Sequence, residues 1–414
     1  MRIAMLTNNY KPFLGGVPVS VDRLAASLRK RGHTVTVFAP EYDSCEPEQD
    51  VYRYKVNKKK LENGMVVPAL YDKRVYEHFR GNKYDLIHIH HPMLIGYTGI
   101  RIANRQGIPV ALTYHTRYEQ YIHYILPFAD KRDKGKLGGL VVRLASRIVT
   151  LHNRIVTNLC DMVIAPTPLI RDFLSENGTK SNIAVLPTGL GSGDFEFDEG
   201  EVSRIRREYA GDKRYLFCCV ARLEKEKNIS FLLEALKLLK DMTGDVFKIM
   251  LIGDGSHRET LEKEIVSLGL RDNVTLCGVI PNAELSNYYR ASDMFLFSSR
   301  SETQGIVLLE AMAAGLPVVA VDASGVCDIV KDGYNGRKTK PDAAEFAAAV
   351  AEILQDEAMG RRMSNLAEIT ADKYTADKIA AAAESLYESL IYEKAHSGQP
   401  LRWGARFPGR SSFR

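Results

Sequence analysis

The chain alternates short apolar runs with glycine-bearing turns and amphipathic helical stretches, and it does so in two successive series. Strand-length apolar runs separated by helix-period segments restrict a chain to parallel sheets covered by helices on both faces. The first series opens with Ile3–Leu6, a glycine turn at Gly15-Gly16 and a helical pattern over Val17–Arg31. It continues through strand-like Thr34–Phe38, Leu86–Ile89, Val110–Thr113, Met162–Ala165 and Ile183–Leu186. The second series runs through Tyr215–Val220, Phe247–Ile252, Val274–Cys277, Met294–Phe297 and Val318–Val321, each followed by a helical stretch or a turn. The expected fold class is α/β, with two doubly wound Rossmann-like domains facing a deep interdomain cleft. The expected division is 1–195 for the first domain, 196–212 for a linker, 213–373 for the second domain and 374–396 for a C-terminal helix crossing back to the first. A basic tail, 397–414, is expected to be disordered.

Charge separates the two series. Up to Phe195 there are 27 Lys and Arg against 17 Asp and Glu, whereas the remainder holds 29 against 34. A basic first half and an acidic second half suggest different partners. Neither of the longest apolar runs is an uninterrupted span of ~20 residues, so no transmembrane helix is expected. No secretory signal is legible after Arg2. The six cysteines (Cys45, Cys160, Cys218, Cys219, Cys277 and Cys327) lack C-x-x-C spacing. They read as free thiols of a reducing, cytoplasmic compartment. No helix-turn-helix, zinc or stacking-aromatic pattern points to nucleic acid.

Chemistry concentrates at the carboxyl ends of the predicted strands, where open α/β sheets bind ligands. Ser301-Glu302-Thr303-Gln304-Gly305-Ile306-Val307-Leu308-Leu309-Glu310 follows strand Met294–Phe297. Gly305 turns the chain into a helix whose first amides, near Ile306 and Val307, suit an anion. Glu310 lies in an otherwise apolar helix and needs a partner, which a polyhydroxylated ligand would supply; Glu302 could reach the same ligand. Arg222 and Lys227 follow strand Tyr215–Val220 and could clamp a diphosphate, the alternative being a solvated charge run. Gly15-Gly16-Val17 permits close approach of backbone to phosphate or sugar oxygens. Gly253-Asp254-Gly255 reads mainly as turn chemistry. His88, His90 and His91 lack an accompanying acidic or cysteine ligand set, so no metal is expected there. His115, just after strand Val110–Thr113, is the preferred first-domain contact to a reacting sugar.

Lys131, Arg132, Lys134 and Lys136 precede a helical run with apolar Leu140, Val141, Leu144, Ile148, Leu151, Ile155 and Leu159. Arg143, Arg147 and Arg154 share a face expected to lie across from much of that apolar set. A basic amphipathic helix reads as membrane-surface binding; the alternative is a core helix with a wet side.

These residues resemble the retaining glycosyltransferases of family 4, with the GT-B fold, across nearly the whole chain. The resemblance is carried by Gly15-Gly16-Val17, by Arg222 with Lys227, and by the E-x7-E pair Glu302 and Glu310. Within the family, His115-Thr116-Arg117-Tyr118-Glu119-Gln120-Tyr121 and Ser301–Gly305 are similar to bacterial 1,2-diacylglycerol 3-glucosyltransferases. The resemblance implies a nucleotide-sugar donor, UDP-glucose, held mainly by the second domain, and a lipid acceptor at an anionic membrane surface. Arg222 and Lys227 would neutralise the leaving diphosphate, making a metal or other cofactor unnecessary. Glu310 would bind ribose hydroxyls, Glu302 sugar hydroxyls, and the amides of Gly305–Val307 phosphate and sugar. His115 would contact the sugar, and the backbone near Val279 and Ile280 would meet the nucleobase. The usual Pro-Glu pair is missing from Ser324-Gly325-Val326-Cys327. The expected location is the inner face of the cell membrane, as a peripheral protein. A soluble or pre-glycosylated acceptor is the first alternative, and a nucleotide-sugar epimerase or binding protein the second.

Overall fold

The computed structural model describes residues 1–13, 15–43, 47–60, 66–69, 71–118, 136–300 and 302–396, with the side chains of 58–60 and 136–141 excepted. Lys131, Arg132, Lys134 and the 397–414 tail lie outside the described residues, and of Lys136 only the backbone is described. The chain divides into two units, Met1–Gly189 with the segment from Asp377 onward, and Leu190–Ala376.

In the first unit, strands β1 (Arg2–Leu6), β2 (Thr34–Pro40), β3 (Val51–Tyr54), β6 (Leu86–Ile89), β7 (Val110–Thr113), β8 (Met162–Ala165) and β9 (Asn182–Val185) form a seven-stranded sheet ordered β3-β2-β1-β6-β7-β8-β9. Every pairing in it is parallel. A small antiparallel hairpin of β4 (Val56–Lys60) and β5 (Val66–Pro68) stands apart. Alternate residues of β1 face opposite sides: Ile3 and Met5 join Val21, Ala25 and Leu28 of the first helix, while Ala4 and Leu6 join Ile100, Ile102 and Ala103. The C-terminal helix Ala376–His396 belongs to the first of these layers from Ile379 on, through Ile379, Ala380, Ala383, Tyr387 and Leu390. Strand order reverses between β1 and β6, so the switch point is flanked by Thr7-Asn8-Asn9 and His90-His91.

The second unit repeats the scheme with β10 (Tyr215–Val220), β11 (Phe247–Ile252), β12 (Val274–Gly278), β13 (Met294–Phe297), β14 (Val318–Val321) and β15 (Gly336–Thr339), ordered β12-β11-β10-β13-β14-β15 and parallel throughout. Phe217 and Cys219 face helices Ile229–Thr243 and Ala343–Gln355, and Leu216 and Cys218 face helix Ile306–Ala313. Both faces being buried explains why these strands read as continuous apolar runs. It also explains why burial pushes the Cys218 and Cys219 thiols up. The switch point here lies between β10 and β13.

Residues 196–212 are not a linker. They hold helix Glu199–Ala210, which buries Ile205 and Ala210 in the second unit's core. Its acidic start is a helix N-terminus: Asp198 accepts from the Glu201 amide at 2.9 Å, and Glu199 and Glu201 occupy the first turn. The first unit accordingly ends at Gly189 rather than 195, and Leu190 is tied to the second unit by the Leu190 amide donating to Tyr374 O at 2.7 Å.

Candidate functional site

The loops leaving β10 and β13 are stitched together at the second unit's switch point. Ser298 Oγ donates to Lys227 O at 2.9 Å, and Asn228 Nδ2 donates to Ser298 O at 3.4 Å. Lys227 ends a short 3₁₀ turn, Lys225–Lys227, and Asn228 takes the left-handed conformation (φ 58°) that starts the next helix. This fold-back presents the Lys227 ammonium to Glu302: Nζ donates to Oε1 at 2.5 Å, with both side chains largely buried. Residues that are 75 positions apart thus form one ion pair where two neighbouring strands end. Arg222, on the same loop, is 54% exposed and pairs with Glu226 at 3.1 Å.

A third loop, after β14, fixes the backbone of Glu302. Ser324 Oγ donates to Glu302 O at 2.8 Å. Gly325 has φ 79°, and a Cβ there would stand 2.7 Å from Glu302 Cβ and 2.9 Å from its carbonyl oxygen. Only glycine satisfies both the conformation and the approach. Gly305 (φ 72°) caps helix Ile306–Ala313, and a Cβ there would meet Leu308 Cδ1 at 2.9 Å. Ile306 and Val307 form the first turn, half-buried, with their amides among the orphan donors of that helix N-terminus. Glu310, one further turn on, accepts from the Tyr289 hydroxyl at 3.4 Å. Burial, with Glu310 second, holds the Tyr289 phenol well above its ordinary range, so it remains a donor. Val279 and Ile280 follow β12; Val279 is exposed and Ile280 leans on the core. The Gly253–Gly255 loop braces 221–223, with the Leu223 amide donating to Asp254 O at 3.0 Å and the His257 amide to Leu223 O at 2.9 Å.

In the first unit, Gly15 and Gly16 open helix Gly16–Lys30 and are both exposed. A Cβ at Gly16 would meet nothing within 4 Å, so no intrachain contact requires glycine there. His115 follows β7; its Nε2 lies 2.9 Å from His90 Nδ1. Burial lowers the His115 ring to about 4 and those of His88 and His91 to about 3, so all three are neutral at ordinary pH. Among the described residues no group of three His, Cys, Asp or Glu side chains is placed to hold a metal ion.

Helix Lys136–Thr157 carries a second surface. Leu144, Ile148, Leu151 and Ile155, with Leu159 just beyond, are 43–59% exposed along one stripe. Asn153, Val156 and Thr157 are buried on the other side, and Asn153 Nδ2 donates to the Tyr114 hydroxyl at 3.0 Å, next to His115. Arg143, Arg147 and Arg154 are exposed too. At about 100° per residue they border the stripe rather than lie across from it. No helix among the described residues is long and apolar enough to cross a membrane.

Two family models match the chain, Glycosyltransferase Family 4 over residues 14–191 and Glycosyl transferases group 1 over 202–370. The alpha-monoglucosyldiacylglycerol synthase of Acholeplasma laidlawii is 30% identical over 94% of this chain and 98% of its own length. The chain belongs to glycosyltransferase family 4. The Streptococcus pneumoniae synthase of the same description is 32% identical over 81% of this chain and 74% of its own. Among solved structures, Anabaena HepE in complex with UDP superposes with a TM-score of 0.73 at 19% identity, over 94% of this chain and all of that one. HepE has also been solved with UDP-glucose. The fold of this family 4 glycosyltransferase is therefore GT-B.

Sequence reasoning identified Lys227 and Glu302 separately but not their direct pairing, and it missed Tyr289, Ser298 and the anchoring role of Ser324. Tyr289 reads as one more core aromatic in a short helix, and the serines carry no pattern of their own.

Proposed function

We propose that the protein is a retaining glucosyltransferase that moves glucose from UDP-glucose to 1,2-diacylglycerol at an anionic membrane surface. The observation that carries this reading is the Lys227–Glu302 pair at the second unit's switch point, with Arg222 on the same loop. The description of the two relatives as alpha-monoglucosyldiacylglycerol synthases supports the acceptor, and the UDP-glucose complex of HepE supports the donor.

In this reading the diphosphate lies against Lys227 and Arg222, and the amides of Gly305–Val307 donate to its oxygens. Glu302 orients Lys227 and accepts from glucose hydroxyls, while Glu310, held by Tyr289, accepts from the ribose. Val279 and Ile280 meet the base; Gly15 and Gly16 leave room for sugar or phosphate oxygens. The bond from glucose C1 to the diphosphate oxygen breaks, and the acceptor hydroxyl oxygen bonds C1 on the same face. Its proton passes to the departing phosphate oxygen. Charge accumulates on that leaving group, so fixed cations aimed at it supply the main catalytic effect, and two side-chain cations take the part a metal would otherwise play. Neutral His115 contacts a sugar hydroxyl. The exposed stripe from Leu144 to Leu159 enters the lipid interface while Arg143, Arg147 and Arg154 meet anionic headgroups. Lys131, Arg132, Lys134 and Lys136 add to the same field, and the protein works as a peripheral enzyme of the cytoplasmic face.

Incubation with UDP-[14C]glucose and vesicles of phosphatidylglycerol containing diacylglycerol tests this directly. The expected product is an α-glucosyldiacylglycerol; transfer only to inositol or free saccharides would replace the lipid acceptor with a soluble one. Scrambled donor stereochemistry without an acceptor would point to an epimerase.

A further inference from the structure

His88, His90 and His115 form one connected group at the ends of β6 and β7. The Tyr387 hydroxyl, on the C-terminal helix, lies 2.8 Å from His88 Nδ1, and His88 Nε2 lies 2.7 Å from Thr113 Oγ1. The His88 ring packs on that of His90 with centroids 4.0 Å apart, and His90 Nδ1 meets His115 Nε2 at 2.9 Å. We propose that His90 is a positioning residue that fixes the tautomer of His115, so that His115 presents an Nδ1–H donor to a hydroxyl of the transferred sugar. The last clause rests on the role given to His115 above; the tautomer itself does not.

Proton placement decides the tautomer. Two neutral imidazoles joined through ring nitrogens share one proton in that bond, one ring donating and the other accepting. His90 is 1% exposed, and its Nε2 is buried with no partner among the described residues. If the His90 proton sat on Nε2, an N–H would be buried without an acceptor. With the proton on Nδ1, only a lone pair goes unused. Orphaned buried N–H groups are the rarer of the two in folded proteins. His90 Nδ1–H therefore donates to His115 Nε2, and the single proton of His115 is left on Nδ1. A doubly protonated ring does not arise at neutral pH, because burial holds His115 at about 4 and His90 well below its ordinary value. The groups facing His90 are His88, His91 and His115, and each of them opposes a charge on it. His91 takes no part in the relay: its Nδ1 accepts from the Asn8 amide at 3.1 Å.

Long-range 1H–15N correlation on histidine-15N-labelled protein at pH 7.5 reads the tautomer, with His115 assigned by its loss in His115→Asn. The expected spectrum has His115 protonated on Nδ1 and bare on Nε2. His90→Leu removes the donor; His115 should then show mixed tautomers and kcat should fall about 10- to 100-fold with KM for UDP-glucose little changed. His90→Asn carries an amide nitrogen at the same bond count from the backbone as Nδ1, so it should restore both the tautomer and most of the rate. His115 protonated on Nε2 in the unmodified protein overturns the proposal, as does a tautomer unmoved in His90→Leu. If His90→Leu does not fold, the wild-type and His90→Asn spectra still decide. Full transfer activity in His115→Asn would instead remove the sugar contact and leave the tautomer assignment standing.

Discussion

The two units share one architecture and differ in how they use it. In the first, the sheet's carboxyl edge is lined with neutral, buried histidines, and its positive charge is spread over the surface, as at Arg143, Arg147 and Arg154. The second half of the chain carries more acids than bases, yet it brings Lys227 and Arg222 to the switch point of its sheet. Net charge therefore does not decide where cations gather, and each of these two is paired with a carboxylate, Glu302 and Glu226. Long-range field is a property of a whole surface, whereas a diphosphate site needs two cations within a few ångströms.

Breaking the second unit's local arrangement should have the largest effect. Lys227→Ala is expected to lower transfer about 10²–10³-fold, the scale for removing one preorganised group at a developing charge, and Glu310→Ala, which loses the ribose contact, about 10- to 100-fold, the scale of hydrogen bonds to a charged group. Lys227→Ala leaves the largely buried Glu302 carboxylate unpaired, so a lower melting temperature should accompany its loss of rate; normal rates in either variant would remove the site assignment.

Acid should sharpen the contrast through the first unit's histidines. His88, His91 and His115 are held by burial at about 3 to 4, and each is an ordinary histidine in the unfolded chain. The unfolded state thus binds more protons below pH ~6.5, and each histidine lowers stability by up to about 1.4 kcal/mol per pH unit on the way down. The second unit holds only His257. Urea unfolding followed by hydrogen exchange at pH 7.5 and 5.5 should show the first unit weakening more; equal loss in both units would contradict these shifts.

Charge reversal at Arg143 and Arg147 should weaken binding to anionic vesicles by about 1 kcal/mol or more per residue and leave UDP affinity unchanged. Unchanged co-sedimentation would make the helix a purely structural one. The smallest effect is expected from Ser324→Ala, which removes one hydrogen bond to the Glu302 backbone worth about 1 kcal/mol. It should raise KM for UDP-glucose a few-fold, and no change would show that Gly325 alone holds the loop.

The strands of both sheets were largely legible because two-sided burial leaves an unbroken apolar run, as in Phe247–Ile252. The exceptions are edge elements. Gly336-Arg337-Lys338-Thr339 forms β15 at the sheet's rim, where polar side chains are tolerated. Helix Glu357–Asp372 went unread because Asp356 both ends the preceding helix and caps this one, leaving no gap between them. Asp198-Glu199-Gly200-Glu201 looked like a solvated linker, yet the same acids favour a helix start. At the site, Gly305, Glu302 and Lys227 announce themselves by residue type and position. The partners Ser298 of Lys227, Ser324 of Glu302 and Tyr289 of Glu310 do not, because these contacts join loops or helices distant in sequence and depend on tertiary register alone.

A diphosphate held by two cations on an acidic half of the chain is what distinguishes this site. Calorimetric titration of UDP and UMP into the wild type, Lys227→Ala and Arg222→Ala measures this most directly. The wild type should prefer UDP to UMP by at least about tenfold, or 1.4 kcal/mol, and this preference should collapse in both variants. A preference retained in both would contradict this assignment.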